Sequence, residues 1–503
     1  MNDQTNLITG LKEQLASLSG DVWYLAPELT LFITVILILG FDLLFKNNKQ
    51  IGIFTIVFSG LAFAFFALTQ SIGLAQNANE LFTGLIKLDG WSVIVKMGFV
   101  LAGLLMLVIA SRRQSDLENF GKSSELWLVS ITLILGACLM SMSINLIMIY
   151  ISIELVSISS YILTGLQNGK QKSEAALKYI LFGAVASAVM IYGMSWLYGF
   201  TGTLNITDGA FYKGLAATST LPLAIALTMT IAGFVFKMGA FPFHIWSPDV
   251  YQAAPTPIVA LFSFVPKVAA LTILFRFVQH IPSDLFNWQL WIGVIAIGSM
   301  TVGNFSALWQ KDAKRMMAYS SIAQAGFLLV GLLAYSESGK IAVLFYAAIY
   351  LVMNFGAFLL IQLFEKQTGT ANIKSLSGLG LKMPLLGIIT VIVMVSLTGL
   401  PPTAGFSAKL FIFSSLWESW QNGGQQILLW VFIIGLLNTI IALFFYLKIP
   451  YYLFFKAPDQ ANKNISISKI DLFWGTIFTL PLLLLFFKTN WLVDLFNNIS
   501  FVL

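Results

Sequence analysis

Residues 236–271 read FKMGAFPFHIWSPDVYQAAPTPIVALFSFVPKVAAL, and this stretch decides the fold. It is almost continuously apolar, yet it carries Lys237 and Lys267, with Gly239 and Pro242 beside the first lysine. Proline removes a backbone donor and clashes with the carbonyl four residues back, so a helix breaks here. Inside a bilayer a break is tolerated only where protein or water satisfies the freed carbonyls. The same pattern returns at residues 396–410, SLTGLPPTAGFSAKL, where Gly399, Pro401, Pro402 and Gly405 lie close to Lys409.

The rest of the chain sets these charges in oil. Of 503 residues, 58% are apolar and 10% charged, against about 45–50% and about 25% in a soluble domain. A soluble fold of this length lacks the ionisable surface it would need, and 43 phenylalanines exclude disorder. A single cysteine rules out a disulfide framework and a self-contained iron–sulfur or Cys-type zinc site. Two histidines leave none for a haem or a His-rich metal cluster, so neither cofactor nor metal is expected in this chain. The net charge of +6 reads as loop lysines at a membrane surface rather than as a nucleic-acid footprint. No secretory signal is expected, because the first apolar run, Leu25–Phe45, is too long for an h-region.

A spanning helix takes roughly 20 apolar residues. The pattern predicts about fourteen, near 24–45, 51–74, 91–111, 125–143, 145–166, 176–199, 221–247, 257–280, 288–309, 313–335, 341–364, 385–418, 427–450 and 470–488. The closing stretch from Trp491 is too short and too polar to be another. The breaks then fall in the seventh and twelfth spans. Breaks at corresponding places in two halves point to inverted repeats with an ion site at their interface. The expected fold is an all-α polytopic membrane protein with two inverted five-helix repeats, spans 4–8 and 9–13. The expected division is 1–124 (spans 1–3), 125–280 (first repeat), 281–455 (second repeat) and 456–503 (span 14 and tail). Loops after odd-numbered spans hold 18 of the 28 basic residues and the opposite loops, Arg276 included, hold six. By the positive-inside rule this puts both termini outside, in the periplasm of a Gram-negative cell.

Four lysines remain inside spans. An ionised group at the bilayer centre costs about 2.5–3.5 kcal/mol on insertion scales. Lys96 lies about one turn into its helix and is expected to snorkel; Asp42 and Glu28 sit at helix ends and are expected to reach headgroups or water. Lys237, Lys267 and Lys409 have no such escape. Glu154, in YISIELVSISSYIL, is the one acid near the middle of a span, and one carboxylate cannot neutralise three lysines. An ammonium without a counter-ion in low dielectric loses its proton readily, and a row of such groups is a proton relay. His244, just past the first break, suits either a relay or a packing role, and both readings stay open. His280, at a span end, is expected to be interfacial. Ser157, Ser160 and Thr398 are candidates to hold water between charges, or simply to pack helices closely.

With these residues in view, the chain resembles a known family. Phe236–Leu271 is similar to the signature of the antiporter-like membrane subunits of respiratory complex I. KDAKRMMAYSSIAQAGF (Lys311–Phe327) resembles their tenth helix, and LTGLPPTAGFSAKLFIF (Leu397–Phe413) their broken twelfth. The match runs from about residue 24 to 488. Within the family, Ala176–Thr203, Lys409 and the close of the chain soon after the fourteenth span are expected to single out one member. The resemblance implies a proton-translocating membrane-arm subunit of NADH:quinone oxidoreductase, driven by redox chemistry in other subunits. Glu154 would pair with Lys237 and tune it, Lys267 would connect the two halves, and Lys409 would pass the proton on. Implied partners are the neighbouring antiporter-like and small membrane subunits, the bilayer and protons; the implied place is the bacterial inner membrane. Flavin, iron–sulfur and quinone chemistry would belong to other chains. The rival is a subunit of a multi-subunit cation/proton antiporter, a family that shares these motifs.

Overall fold

The computed structural model describes residues 18–45, 49–75, 79–112, 123–166, 169–457 and 468–497. The chain termini, with Lys12, and the loop positions Lys46, Arg113, Lys122 and Lys463 that entered the charge count lie outside these.

Among the described residues, thirteen helices are long and apolar enough to cross a membrane. They begin with α1 (Ala26–Leu44), α2 (Lys49–Leu74), α3 (Gly90–Ser111), α4 (Ser123–Met142), α5 (Leu146–Gly165) and α6 (Lys170–Thr201). The series goes on with α7 (Thr220–Met238), α8 (Thr256–Gln279), α9 (Trp288–Leu308), α10 (Ala313–Ala334) and α11 (Glu337–Thr368). The twelfth expected span is broken into α12 (Pro384–Thr398) and α13 (Ala404–Gln421). It is followed by α14 (Gln426–Tyr446) and α15 (Lys469–Phe487). The final stretch forms only the short helix Asn490–Asn497. Sequence patterning alone did not foresee the hairpin of β1 (Asn79–Leu81) and β2 (Ile86–Leu88), which pair antiparallel.

Helix ends follow local chemistry. Asp89 caps α3 in a reciprocal box with Ser92, Asp312 caps α10 through the Arg315 amide, and Ser336 caps α11 through Gly339. Gly202 and Gly369 close α6 and α11 in the left-handed conformation that glycine adopts without strain.

Burial sorts the helices into centre and rim. Every residue from Ile258 to Val278 of α8 is buried, and α10 and α11 are buried almost as completely. A helix apolar all round belongs inside a bundle, so α8, α10 and α11 form the axis. The rim is apolar outward: Phe32, Ile33, Ile36 and Leu37 on α1 and Phe58, Phe63 and Phe66 on α2 are exposed by half or more. This is the surface of an integral membrane protein.

A buried row of lysines

Both breaks form as their sequences require. Helix α7 ends at Met238, with Gly239 left-handed at φ 63°, and α12 ends at Thr398, with Gly399 left-handed at φ 86°. After the first break the chain turns through His244 into the short helix Ser247–Ala253; after the second it turns directly into α13. Each break leaves helix-end carbonyls without intrahelical donors.

A lysine answers each of them. Lys267 Nζ donates to the carbonyl of Met238 at 2.6 Å, and Lys409 Nζ donates to the carbonyl of Thr398 at 2.7 Å. The partial negative charge of a helix C-terminus favours a cation there. The burial that looks so costly in sequence is thus compensated by backbone rather than by carboxylates. Lys237, Lys267 and Lys409 are exposed by 5% or less, and none has a carboxylate within 4.0 Å among the described residues. Lys409 also lies 4.3 Å from the centroid of the Phe327 ring and lines a cavity of about 470 Å3 with Phe406, Phe413, Trp417 and Phe432.

Lys237 sits in the last turn of α7. It donates to Ser157 Oγ at 3.3 Å and lies 5.9 Å from the Tyr179 ring centroid. Glu154 is on α5, one turn before Ser157, but it does not pair directly with Lys237: it accepts a hydrogen bond from Ser187 Oγ on α6. The serine stands where an ion pair was expected. Ser160 and Thr398 bond back to their own helices, to Val156 and Met394, so neither hydroxyl is a free relay donor. His244 is half-buried and stacked on Phe241 at 6.0 Å, and its Nδ1 is buried without a hydrogen-bond partner among the described residues.

A polar chain that sequence reasoning left unassigned runs from α8 to the end of α12. Tyr350 Oη donates to the carbonyl of Ser263, one turn before Lys267, at 3.0 Å, and its hydroxyl meets Ser321 Oγ at 3.3 Å. One turn along α10, Gln324 accepts from Tyr346 Oη and donates to Tyr446 Oη at 3.1 Å. Its amide also reaches the carbonyl of Leu397 at 3.5 Å, the residue before Lys409's acceptor. Ser320, Ser321 and Gln324 interrupting an apolar helix were the available signal.

Three expectations are overturned. Lys96 does not snorkel, and Glu28 does not reach water: both are buried, paired at 3.0 Å between α3 and α1. Each can sink inward because the other neutralises it. Arg276, counted as a loop charge, lies buried in the last turn of α8, paired with Asp89 at 2.7 Å and donating to the Ser141 carbonyl at 2.9 Å. His280 follows at the end of α8, partly buried.

Residues 143–442, which contain every lysine of the row, match the family described as NADH:quinone oxidoreductase/Mrp antiporter, transmembrane. The chain is 36% identical over 484 residues to NADH-quinone oxidoreductase subunit N of Chlorobium chlorochromatii, covering 93% of each. Its fold is similar to a chain of respiratory complex I from Thermus thermophilus, with a TM-score of 0.76, 26% identity, and 93% and 98% of the two chains covered. A chain of the Mrp complex from Dietzia shares the fold at a TM-score of 0.77 and 19% identity, with 95% and 96% covered. With a buried lysine on each broken helix end and these relatives along nearly its whole length, the chain belongs to the NADH:quinone oxidoreductase/Mrp antiporter membrane family.

Proposed function

We propose that this chain is the proton-translocating, subunit N-type component of an NADH:quinone oxidoreductase membrane arm, with Glu154, Lys237, Lys267 and Lys409 as its relay. The observation that carries the reading is the row of three buried ammonium groups without carboxylate partners, two of them held by the ends of broken helices. A purely structural charge in oil is paired, as Glu28–Lys96 and Asp89–Arg276 are in this same chain. Unpaired and water-excluded amines suit groups that gain and lose protons.

In this account Glu154 is the switch. With Glu154 turned toward Lys237, the ammonium is stabilised and the lysine loads a proton. With Glu154 held by Ser187, as it stands in this structure, Lys237 keeps only Ser157, and its proton moves toward Lys267. From there the Tyr350–Ser321–Gln324–Tyr446 chain leads to Lys409. His244 serves as a side donor at the break. The two repeats, 125–280 and 281–455, would then be two half-channels meeting along α8 and α10, between the N-terminal spans (1–124) and the closing helix and tail (456–503). NADH oxidation and quinone reduction occur in other subunits, with neighbouring antiporter-like and small membrane subunits as partners. We place the chain in the bacterial inner membrane with both termini periplasmic, on the charge bias of its loops.

The test is Lys237→Ala in the assembled complex, with proton pumping coupled to NADH oxidation measured in membrane vesicles. Pumping should be largely lost; undiminished pumping would remove Lys237 from the relay. The antiporter reading rests on the fold shared with the Mrp complex. Purification in mild detergent separates the two: flavin and iron–sulfur absorbance should accompany the chain, and would not accompany an antiporter.

A further inference from the structure

Lys237 must be loaded from water, and the side on which α6 and α10 begin supplies a place. There a cavity of about 180 Å3 is lined by Gln171, Glu174, Lys178, Asp249, Gln252 and Arg315. Asp249, on the short helix Ser247–Ala253, accepts from Lys178 Nζ at 2.9 Å and from Arg315 Nη1 at 2.7 Å. Lys178 also pairs with Glu174 at 2.9 Å, and Arg315 also donates to Gln252 Oε1 at 3.0 Å. The Lys178 and Asp249 side chains are 43% and 30% exposed, so the cluster is wet.

Two rings lie directly behind it. Tyr179 follows Lys178 in α6, and Trp246 precedes Asp249 by three residues. The two stack with centroids 4.1 Å apart and planes 10° from parallel, and both are buried. On its far side the stack reaches both relay lysines. The Tyr179 ring centroid is 5.9 Å from Lys237 Nζ. A Cβ placed on Gly239 would lie 3.3 Å from Trp246 Cζ2 and 3.3 Å from Lys267 Nζ, so the indole and that ammonium flank the same point at the break. Trp246 Nε1 is buried without a hydrogen-bond partner among the described residues. A buried donor in that state is usually satisfied by water.

We propose that the Tyr179–Trp246 stack is the gate, and the Lys178–Asp249–Arg315 cluster the latch, through which Lys237 takes its proton from water on that side. The Lys178–Asp249 pair ties α6 to the return helix at positions one and three residues from the two rings. Keeping the pair keeps the rings in register; parting it lets α6 and the return helix separate, and water reaches the ammonium. Tyr179 and Trp246 are positioning residues here, acting through access to Lys237. The proposal rests on the relay reading, but its test reads access rather than pumping.

The measurement is the rate at which Lys237→Cys, in the assembled complex in sealed vesicles, reacts with a small membrane-impermeant thiosulfonate cation added on that side. Modification is read by mass spectrometry of this chain, with the buried native Cys138 as internal reference. Losing a stacked aromatic pair should speed the reaction about two- to tenfold in a Trp246→Ala background. Trp246→Phe, which keeps a stacking ring, should leave it near the starting rate. Losing a half-exposed ion pair through Asp249→Asn should speed it about two- to fivefold. Labelling no faster than in the Lys237→Cys parent, in both assembled Trp246→Ala and assembled Asp249→Asn, overturns the gate; if Trp246→Ala fails to assemble, Asp249→Asn decides alone. Normal pumping by Lys237→Ala would overturn the relay while leaving the labelling result standing, so the two failures are distinguishable.

Discussion

Lys267 and Lys409 make the same contact at the two breaks: each gives its ammonium to the last carbonyl of a broken helix, at 2.6 and 2.7 Å, beside a left-handed glycine. The match explains how this chain keeps charge in oil without matching acids. A helix end offers an unpaired acceptor and a partial negative charge, and it does not neutralise the amine permanently as a carboxylate would. In the proposed relay this is what lets a proton leave.

The glycines should be as intolerant as the lysines. At Gly239 and Gly399 the positive φ alone makes a side chain costly, by about 1–2 kcal/mol. A Cβ on Gly399 would also come within 2.7 Å of Lys409 Cδ. Gly399→Ala should reduce pumping per NADH oxidised, because the lysine must move off the Thr398 carbonyl. Gly209→Ala, where an added Cβ would meet open space, should have no effect on the same ratio.

The Glu28–Lys96 pair predicts a non-additive result. Removing one partner of a buried pair strands the other charge and costs about 3–5 kcal/mol, whereas replacing both by apolar side chains of similar volume is near neutral. Glu28→Met or Lys96→Met alone should lower the yield and thermal stability of the assembled complex, and the double variant should recover most of the loss. A loss in the double variant equal to the sum of the two single losses would mean that the pair is not coupled.

His280 gives a pH prediction. Burial first, then the charges of Lys87 and Arg276, lower its pKa from 6.5 to about 4. Between those values the unfolded chain would bind a proton that the native imidazole does not, so its contribution to stability falls as pH drops through 6.5 toward 4. Above 6.5 it is neutral in both states. His280→Gln should leave the pH profile of pumping between 6.5 and 8 unchanged, and a displaced profile would show that His280 carries protons.

What sequence could and could not reveal follows from range. Charges and prolines inside apolar runs are local anomalies, so Lys237, Lys267, Lys409 and both breaks stood out from single stretches. Glu28 and Lys96 are each near a helix end, where snorkelling is the cheaper reading, and nothing local says that helices α1 and α3 bring them together. Ser187, which holds Glu154, is an ordinary serine in a small-residue helix. Gln324, Tyr346, Tyr350 and Tyr446 come from three helices and matter only as a set. The hairpin's three-residue strands are too short to show an alternating pattern. Residue types were legible; pairings were not.

The central claim is that these amines work by releasing a proton and not merely by being positive. Lys409→Arg separates the two, because a guanidinium keeps its charge and cannot be deprotonated in a protein. The cavity of about 470 Å3 beside Lys409 leaves room for the larger group. Protons pumped per NADH oxidised should be measured in sealed vesicles for wild type, Lys409→Met and Lys409→Arg, with assembly verified for each. The account predicts that both variants lose most of their pumping. Full pumping by Lys409→Arg, with loss only in Lys409→Met, would contradict it, since a fixed positive charge would then suffice.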